Sequence, residues 1–482
     1  MSKIEKKEIR PEKLPPKSNF INWYNSVLEL AEIADRKYPV KGTFVWLPYG
    51  LKIMKNLKEI WDKIFQANGI EEVYFPLFVP MEFIKKNKEW FEGFKENLYL
   101  ALPFSSKEEE KIALRPTGEP AMYPIFKIWI KNGKLPIRIY QTVSSFRYEG
   151  KTTHTMIRDR EITFWYEIHT AHKTKKEAEE EFKKHVKFNE YIWNKVLCIP
   201  PIKVDKPKYE IFPGAISAIE FYTILPNGRL LENGSANNLG QAYAKKFDLY
   251  YIENKKRKYC WQICTGNGAR YLVATFSLHG DERGLVLPPK IAPIQIIIIP
   301  IFEKGLKEKV LKEAKKLEKF LKGKVRVKAD LRESVTPGEK FYIWDIKGVP
   351  LRIEIGKEEI SKGYYTIFRR DTKERYKVKK DKLIEFLNSN LNKNIPKNLF
   401  NKIREFYNKT IKYFSNIDNA LKWIENGKVA KINWCGEKKC YEDIVSLQEG
   451  IEPIGTLLEE RKNGKCICGK KTNKLTLVGK VY

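Results

Sequence analysis

The sequence predicts an α+β protein of about three domains, and three observations carry that reading. At 482 residues the chain is too long for a single hydrophobic core. Strand-like runs gather between residues 211 and 285 and end in a helical run at 269–277, the pattern of a sheet flanked by helices. From Ile294 the pattern changes to strand, helix (306–321), strand (325–329), turn and further strands, a small mixed α/β unit followed by a cysteine-bearing tail.

The elements follow in order. Ser18 is placed to cap a helix whose apolar residues Phe20, Trp23, Val27, Leu30, Ala31 and Ala34 keep helical spacing. A second helix, 51–67, ends near Gly69 and leads into Glu72-Val-Tyr-Phe-Pro76. Residues 175–195 alternate lysine, glutamate and aromatics, a solvated helix with one buried face. After Lys380 the chain reads as helical, then loop-rich. The most apolar run, 291–302, contains two prolines and reads as a buried strand, so no segment approaches the roughly 18 apolar residues of a membrane span. Charged residues through Lys17 form a mobile extension without a signal core, which places the protein in the cytoplasm.

Ninety-one Lys and Arg against sixty Asp and Glu leave +31, the footprint of a polyanionic partner. A lysine-rich genome bias would also spread such charge, and the two readings are compatible. Seven cysteines in an intracellular chain argue against a disulfide framework. Cys435 and Cys440 are separated by four residues and Cys466 and Cys468 by one, with Gly436, Gly464 and Gly469 to turn the backbone. Four thiolates so spaced suit a structural zinc with no position left for water. Cys198, Cys260 and Cys264 read as core residues.

The stretch 114–161 carries Leu-Arg-Pro-Thr117-Gly-Glu119, then Phe146-Arg147-Tyr-Glu149, then Arg158-Asp-Arg-Glu161. Arginine beside glutamate in an aromatic strand suits a face wetted by a polyanion: the guanidinium forks onto phosphate while the carboxylate accepts from an amine. A surface ion pair on an edge strand is the plainer alternative. Two lookalikes fall away. Gly150-Lys151-Thr152 lacks the glycine a phosphate-binding loop needs five residues earlier, where Ser145 stands. His169 and His172 have no nearby metal partners and read as structural or RNA-facing.

Several blocks, in the same order, resemble class II aminoacyl-tRNA synthetases and, within them, prolyl-tRNA synthetase of the archaeal and eukaryotic type. RPTGEPAMYPIFKIWI resembles the family's RPT-x-E loop and helix. SSFRYEGKTTHTMIRDREI resembles motif 2, two antiparallel strands joined by a loop, and Glu72–Pro76 resembles motif 1 at a dimer interface. HGDERGLVLPPKIAPIQIIIIP resembles the passage into an anticodon-binding domain, and the four cysteines resemble the family's zinc tail.

The resemblance implies an antiparallel class II sheet in a catalytic domain over 18–288. An anticodon-binding domain over 289–385 and a zinc-binding domain over 386–482 follow it. It implies ATP-dependent ligation of proline to tRNA(Pro) through a prolyl-adenylate, with Mg²⁺ on the phosphates and a homodimer formed around Pro76. Arg147 would hold the α-phosphate and the substrate carboxylate, Glu149 the adenine amine, and Arg270, in Thr265-Gly-Asn-Gly-Ala-Arg270, the γ-phosphate. Glu232 and Ser235 belong to the same ATP site, while Thr117, Glu119 and Asn237 belong to the proline site. Cys435, Cys440, Cys466 and Cys468 would bind Zn²⁺; on the second domain Arg352, Glu354 and Arg369 offer forked donors and an acceptor suited to reading the anticodon, with a strand-end ion-pair network as the open alternative for each. The terminal Tyr482 would fold back toward the catalytic domain, its carboxylate near Arg147 and Glu119. Only about a hundred residues separate Glu161 from Gly266, so no inserted editing domain, and no hydrolysis of mischarged alanyl-tRNA in cis, is expected.

The sequence also departs from the family. Gln is usual at Glu232, Thr at Ser235, His at Asn237 and Ser at Gly118; Trp165-Tyr166 replaces Phe-Lys, and Ile219, Glu220 and Tyr222 are unexpected. The changes gather around the amino-acid site while the ATP arginines are intact. Sequence drift, a class II enzyme activating another amino acid, and a non-catalytic tRNA-binding protein stay open at this point.

Overall fold

A computed structural model of the chain describes residues 14–86, 91–92, 95–102, 112–150, 152–303 and 305–482. Residues 1–13 of the expected extension and Lys151 of the rejected phosphate loop lie outside the described residues. Lys17 corrects the expectation of mobility up to that point. Its backbone N–H donates to Glu282 at 3.1 Å, and its ammonium donates to the carbonyl of Gly280.

Helix α1 (Phe20–Leu30) starts one residue later than a Ser18 cap would place it. Its first helical bond runs from the Trp23 N–H to the carbonyl of Asn19. Helix α2 (Pro48–Ala67) begins three residues before the apolar pattern, because Pro48 presets φ at a first turn that needs no N–H. Both bury their apolar stripes, including Trp23, Leu57 and Trp61, against one face of an eight-stranded sheet.

In chain order the sheet contains β1 (Glu71–Glu72), β2 (Ile137–Phe146), β3 (Glu161–His172), β4 (Ile202–Asp205), β5 (Ser217–Ile224), β6 (Leu230–Gly240) and β7 (Trp261–Asn267). Its eighth member is a two-residue strand, Thr456–Leu457, from far down the chain. The spatial order is 456–457, β4, β5, β6, β7, β3, β2, β1, and every pairing is antiparallel except β1 with β2. Helix α3 (Glu119–Lys131) follows the RPTGE loop, α4 (Lys175–Tyr191) lies behind the sheet, and α5 (Arg270–His279) leaves β7. The buried face of α4 is partly polar. Glu181 takes a forked bond from Arg138, and His185 meets the Thr265 hydroxyl at 2.9 Å.

Residues 296–379 form a five-stranded mixed sheet in the order 327–329, 296–300, 351–355, 364–369, 375–379. Val310, Ala314, Leu317 and Leu321 of helix Lys307–Leu321 pack on it. Arg370 grips Asp281, just past α5, through two bonds of 2.6 and 2.8 Å. The loop-rich reading of the C-terminal part is corrected: helices Ile395–Thr410 and Ile417–Glu425 accompany a second five-stranded sheet centred on Lys471–Lys480. Its strands are short and lysine-rich, so their alternation is too weak to register as a run.

The last residue docks. Asn227 donates to the Tyr482 hydroxyl at 2.8 Å, and the Arg229 guanidinium lies over its ring. It sits against the β5–β6 turn and His154, and it is not among the residues lining the cavity that holds Glu119.

Candidate active site

Side chains alternate across a strand, so one register row of the sheet presents one face. Gln141 of β2, Glu167 of β3, Gly266 of β7, Ser235 of β6 and Glu220 of β5 stand in such a row. His169, Cys264 and Asn237 form the next. Except for Gln141, these residues line a cavity of about 320 Å³ closed by Thr117 and Glu119 at the head of α3 and by Phe212 and Pro213 of the 206–216 loop. A narrower recess of about 90 Å³ lies beyond it, lined by Glu149, Arg158, Asp159 and Arg270. Arg147, Trp165 and Glu232 belong to both.

The structure therefore brings the predicted amino-acid and ATP residues to two lobes of one site. Glu119 sits in the first turn of α3, where the helix dipole favours a carboxylate, and accepts a hydrogen bond from Thr117. Burial raises its carboxyl above the ordinary range; His169 opposes that and Glu167 adds to it. Arg147 donates to the Pro116 carbonyl at 3.1 Å; burial lowers its pKa, against the pull of the Glu167 carboxylate. Glu220 is pushed up to about 7, chiefly by burial, with Lys206 opposing. Arg270 is already engaged: it donates to the Glu232 carboxylate at 2.6 Å and to the Glu232 carbonyl at 2.9 Å. Ser235 accepts from Asn237 at 2.9 Å, and Glu149 faces Arg158 at 4.0 Å.

Three further residues stand at the heart of the site: Trp165, which the sequence marks only as a departure near the amino-acid site, Glu167, which it does not single out, and His169, which it reads as structural or RNA-facing. Glu167 is a hub, accepting from Thr117, the Gly118 N–H, Gln141 and the Trp165 indole at 3.0 to 3.2 Å. His169 lines the cavity with Nδ1 3.1 Å from the Tyr123 hydroxyl. The signal was present: 165, 167 and 169 share one face of the strand following the Arg147 loop. Gly118 fits the same hub, since a Cβ there would stand 2.3 Å from a Glu167 oxygen. Cys264, expected in the core, is buried but forms part of the cavity wall.

Arg352, Glu354 and Arg369 stand apart from this site and face inward. Arg352, 4% exposed, donates to Asp345 and Glu354 at 2.8 and 3.0 Å and is flanked by the rings of Phe341 and Phe368. Arg369 is forked onto Asp371. In this conformation neighbouring carboxylates occupy these donors.

The four tail thiols converge. Sγ of Cys435 lies 3.5 Å from those of Cys440 and Cys466 and 4.0 Å from that of Cys468. All four ligand atoms lie within 4.8 Å of one another. Tetrahedral ligands at a zinc–sulfur distance of about 2.3 Å stand about 3.8 Å apart, so the donor set fits that ion.

A model of the tRNA synthetase class II core domain (G, H, P, S and T) matches residues 102–279, and one of an anticodon binding domain matches 295–390. A model of the prolyl-tRNA synthetase C-terminal region matches 417–482. The chain is 39% identical to the proline–tRNA ligase of Methanopyrus kandleri over 96% of both chains. The chain belongs to the prolyl-tRNA synthetase family. Among other family members, the proline–tRNA ligase of Archaeoglobus fulgidus is 37% identical over 97% of this chain and all of its own. Giardia lamblia prolyl-tRNA synthetase in complex with prolyl-adenylate superposes with a TM-score of 0.92 at 29% identity, covering 98% of this chain and 100% of that one. The Cryptosporidium parvum enzyme with halofuginone and AMPPNP gives 0.91 at 29% identity, covering 98% and 99%. No helix among the described residues is long and apolar enough to cross a membrane.

Proposed function

We propose that this chain ligates proline to tRNA(Pro) in two steps. The proline carboxylate attacks the α-phosphate of ATP, the bond to the β-phosphate breaks, and pyrophosphate leaves. A hydroxyl of the terminal ribose then attacks the acyl carbon, and AMP departs with the bonding electrons. The observation that carries this reading is the position of Arg147 on the wall shared by two lobes, one with Thr117 and Glu119, the other with Glu149 and Arg270. Carboxylate and α-phosphate meet at that wall, and in-line displacement needs neutralised charge there more than it needs an acid or a base.

In this reading Glu119 and Thr117 take the secondary ammonium, with Asn237 on the far wall. Arg147 holds carboxylate and α-phosphate, Glu149 reads the adenine amine, and Arg270 takes the γ-phosphate after releasing Glu232. Mg²⁺ would neutralise phosphate charge, and the Glu232 carboxylate would be an oxygen donor suited to hold it; Ser235 lines the amino-acid lobe next to that wall. The domain limits 18–288, 289–385 and 386–482 are retained, with the last domain lending strand 456–457 to the catalytic sheet. Arg352, Glu354 and Arg369 would support an anticodon-binding face from within. Zn²⁺ on Cys435, Cys440, Cys466 and Cys468 would hold the C-terminal fold. Around Pro76, Tyr74 is 77% exposed beside exposed Phe78 and Leu100, an apolar patch that a second copy of the chain would cover.

Pyrophosphate exchange with each of the twenty amino acids tests the central claim. Proline should give the fastest exchange. A faster rate with another amino acid would mean that Glu232, Asn237 and Tyr222 mark a change of specificity, and no exchange with any would leave a tRNA-binding protein without ligase chemistry.

A further inference from the structure

The wall of the amino-acid lobe formed by Glu210, Ile211, Phe212 and Pro213 hangs between two cores. At one end Phe212 packs in the catalytic core, its ring stacked on that of Tyr243, whose hydroxyl donates to the Pro213 carbonyl at 2.8 Å. At the other end Tyr209 leaves the catalytic domain and packs in the core of the C-terminal domain. Its hydroxyl lies 3.4 Å from the carbonyls of Gly436 and Glu437, the two residues after Cys435. Its ring meets edge-on that of Tyr441, the residue after Cys440, at 5.6 Å. One aromatic side chain thus touches the residues that follow each cysteine of the first pair, and it directly precedes the cavity wall.

We propose that Tyr209 is a positioning residue for amino-acid binding: it ties the 210–213 wall to the cysteine knuckle, so that the C-terminal domain sets the shape of the amino-acid lobe and leaves the nucleotide lobe alone. The asymmetry follows from connectivity, because residues 210–213 border the lobe of Glu119 and none of them borders the recess of Glu149 and Arg270. A free wall must be ordered each time substrate binds, and a displacement near 1 Å in a positioning group costs up to about a hundredfold.

The inference rests on reading the lobe as the proline site, and two measurements on the full-length protein separate the claims. In Tyr209→Ala, amide hydrogen exchange over 207–216 should quicken at least about tenfold, and the KM for proline should rise about tenfold. The KM for ATP and the zinc content should stay within about twofold of wild type. Tyr209→Phe, which keeps the ring, should stay close to wild type in all four. Should the alanine variant fail to fold, Tyr441→Ala, which removes the ring that Tyr209 meets, takes its place with the same expected changes. Unchanged amide exchange over 207–216 overturns the anchor, and proline and ATP constants rising together overturn the selectivity for one lobe. If the wild-type chain shows no proline-dependent exchange of pyrophosphate, the functional reading fails, while amide exchange still decides the anchor.

Discussion

The catalytic cavity and the 296–379 domain are built from the same materials, arginines and carboxylates on strands, yet they use them in opposite ways. In the small domain Arg352, Arg369 and Arg370 are each buried and matched to carboxylates at 2.6 to 3.1 Å, and Arg352 lies between the rings of Phe341 and Phe368. In the cavity, Arg147, Glu119, Glu167 and Glu220 converge on a space of about 320 Å³. Burial there holds Glu119 and Glu220 above the ordinary carboxylate range. Charge matched and sealed within the fold makes structure, whereas charge gathered around a cavity can also be met by a ligand.

The largest expected effect lies in the void. Arg147→Ala and Arg270→Ala should each lower pyrophosphate exchange by at least about 10²–10³-fold, the scale of removing one preorganised charge donor from a dry site. Melting temperature should change little. Near-normal exchange in either variant would show that the arginine is structural like those of the small domain.

Glu119→Gln should separate binding from stability. The folded-state pKa of Glu119 is raised, so folding holds its proton more tightly. Any stability from this group is present below the unfolded pKa and lost as pH rises through the folded one. Above that raised pKa the ionised carboxylate costs the ligand-free protein stability, and there the glutamine variant should melt slightly higher while losing proline activation by about two orders of magnitude. In the wild type the KM for proline should rise as pH falls through that raised pKa, with the KM for ATP nearly flat. A lower melting temperature in the variant contradicts the sign.

Arg352→Ala sharpens the other side of the comparison. It leaves Asp345 and Glu354 buried with fewer partners and should destabilise the small domain by about 3 kcal/mol, read from its chemical denaturation. Amino-acid activation should be nearly untouched while the KM for tRNA rises. Undiminished stability would mean that Arg352 is available to a nucleotide after all.

What the sequence could disclose follows the same division. Arg147, Glu149, Thr117 and Glu119 are legible because short contiguous strings carry them. Glu167 does not stand out in the sequence, and His169 reads there as structural or RNA-facing, because their meaning depends on which face of β3 they take, and that is fixed by pairing with β7, a hundred residues on. The surroundings of the expected anticodon residues are hidden for a related reason: a sequence shows that arginine and glutamate alternate on 351–355 but not that Asp345, Phe341 and Phe368 close over Arg352. Least legible was strand 456–457, since two residues completing a sheet 250 positions away leave no periodicity to detect.

The smallest effect tests whether the void is fully open without substrate. Arg270 is held by Glu232 in a pair whose side chains are 33% and 36% exposed. Such a pair is worth only about 0.2–1 kcal/mol after solvent screening, so phosphate must displace a weak partner. Glu232→Gln, which restores the amide usual in the family, would keep the hydrogen bond and remove the charge. If the pair merely competes with nucleotide, the KM for ATP should fall by a factor of about 1.5 to 5 with kcat unchanged, measured by exchange at saturating proline. If the carboxylate instead serves the Mg²⁺ that accompanies ATP, the same substitution should raise the KM for ATP and steepen its dependence on Mg²⁺ concentration. The sign of a small change thus decides whether Glu232 belongs with the matched charges of the fold or with those that wait for ligand.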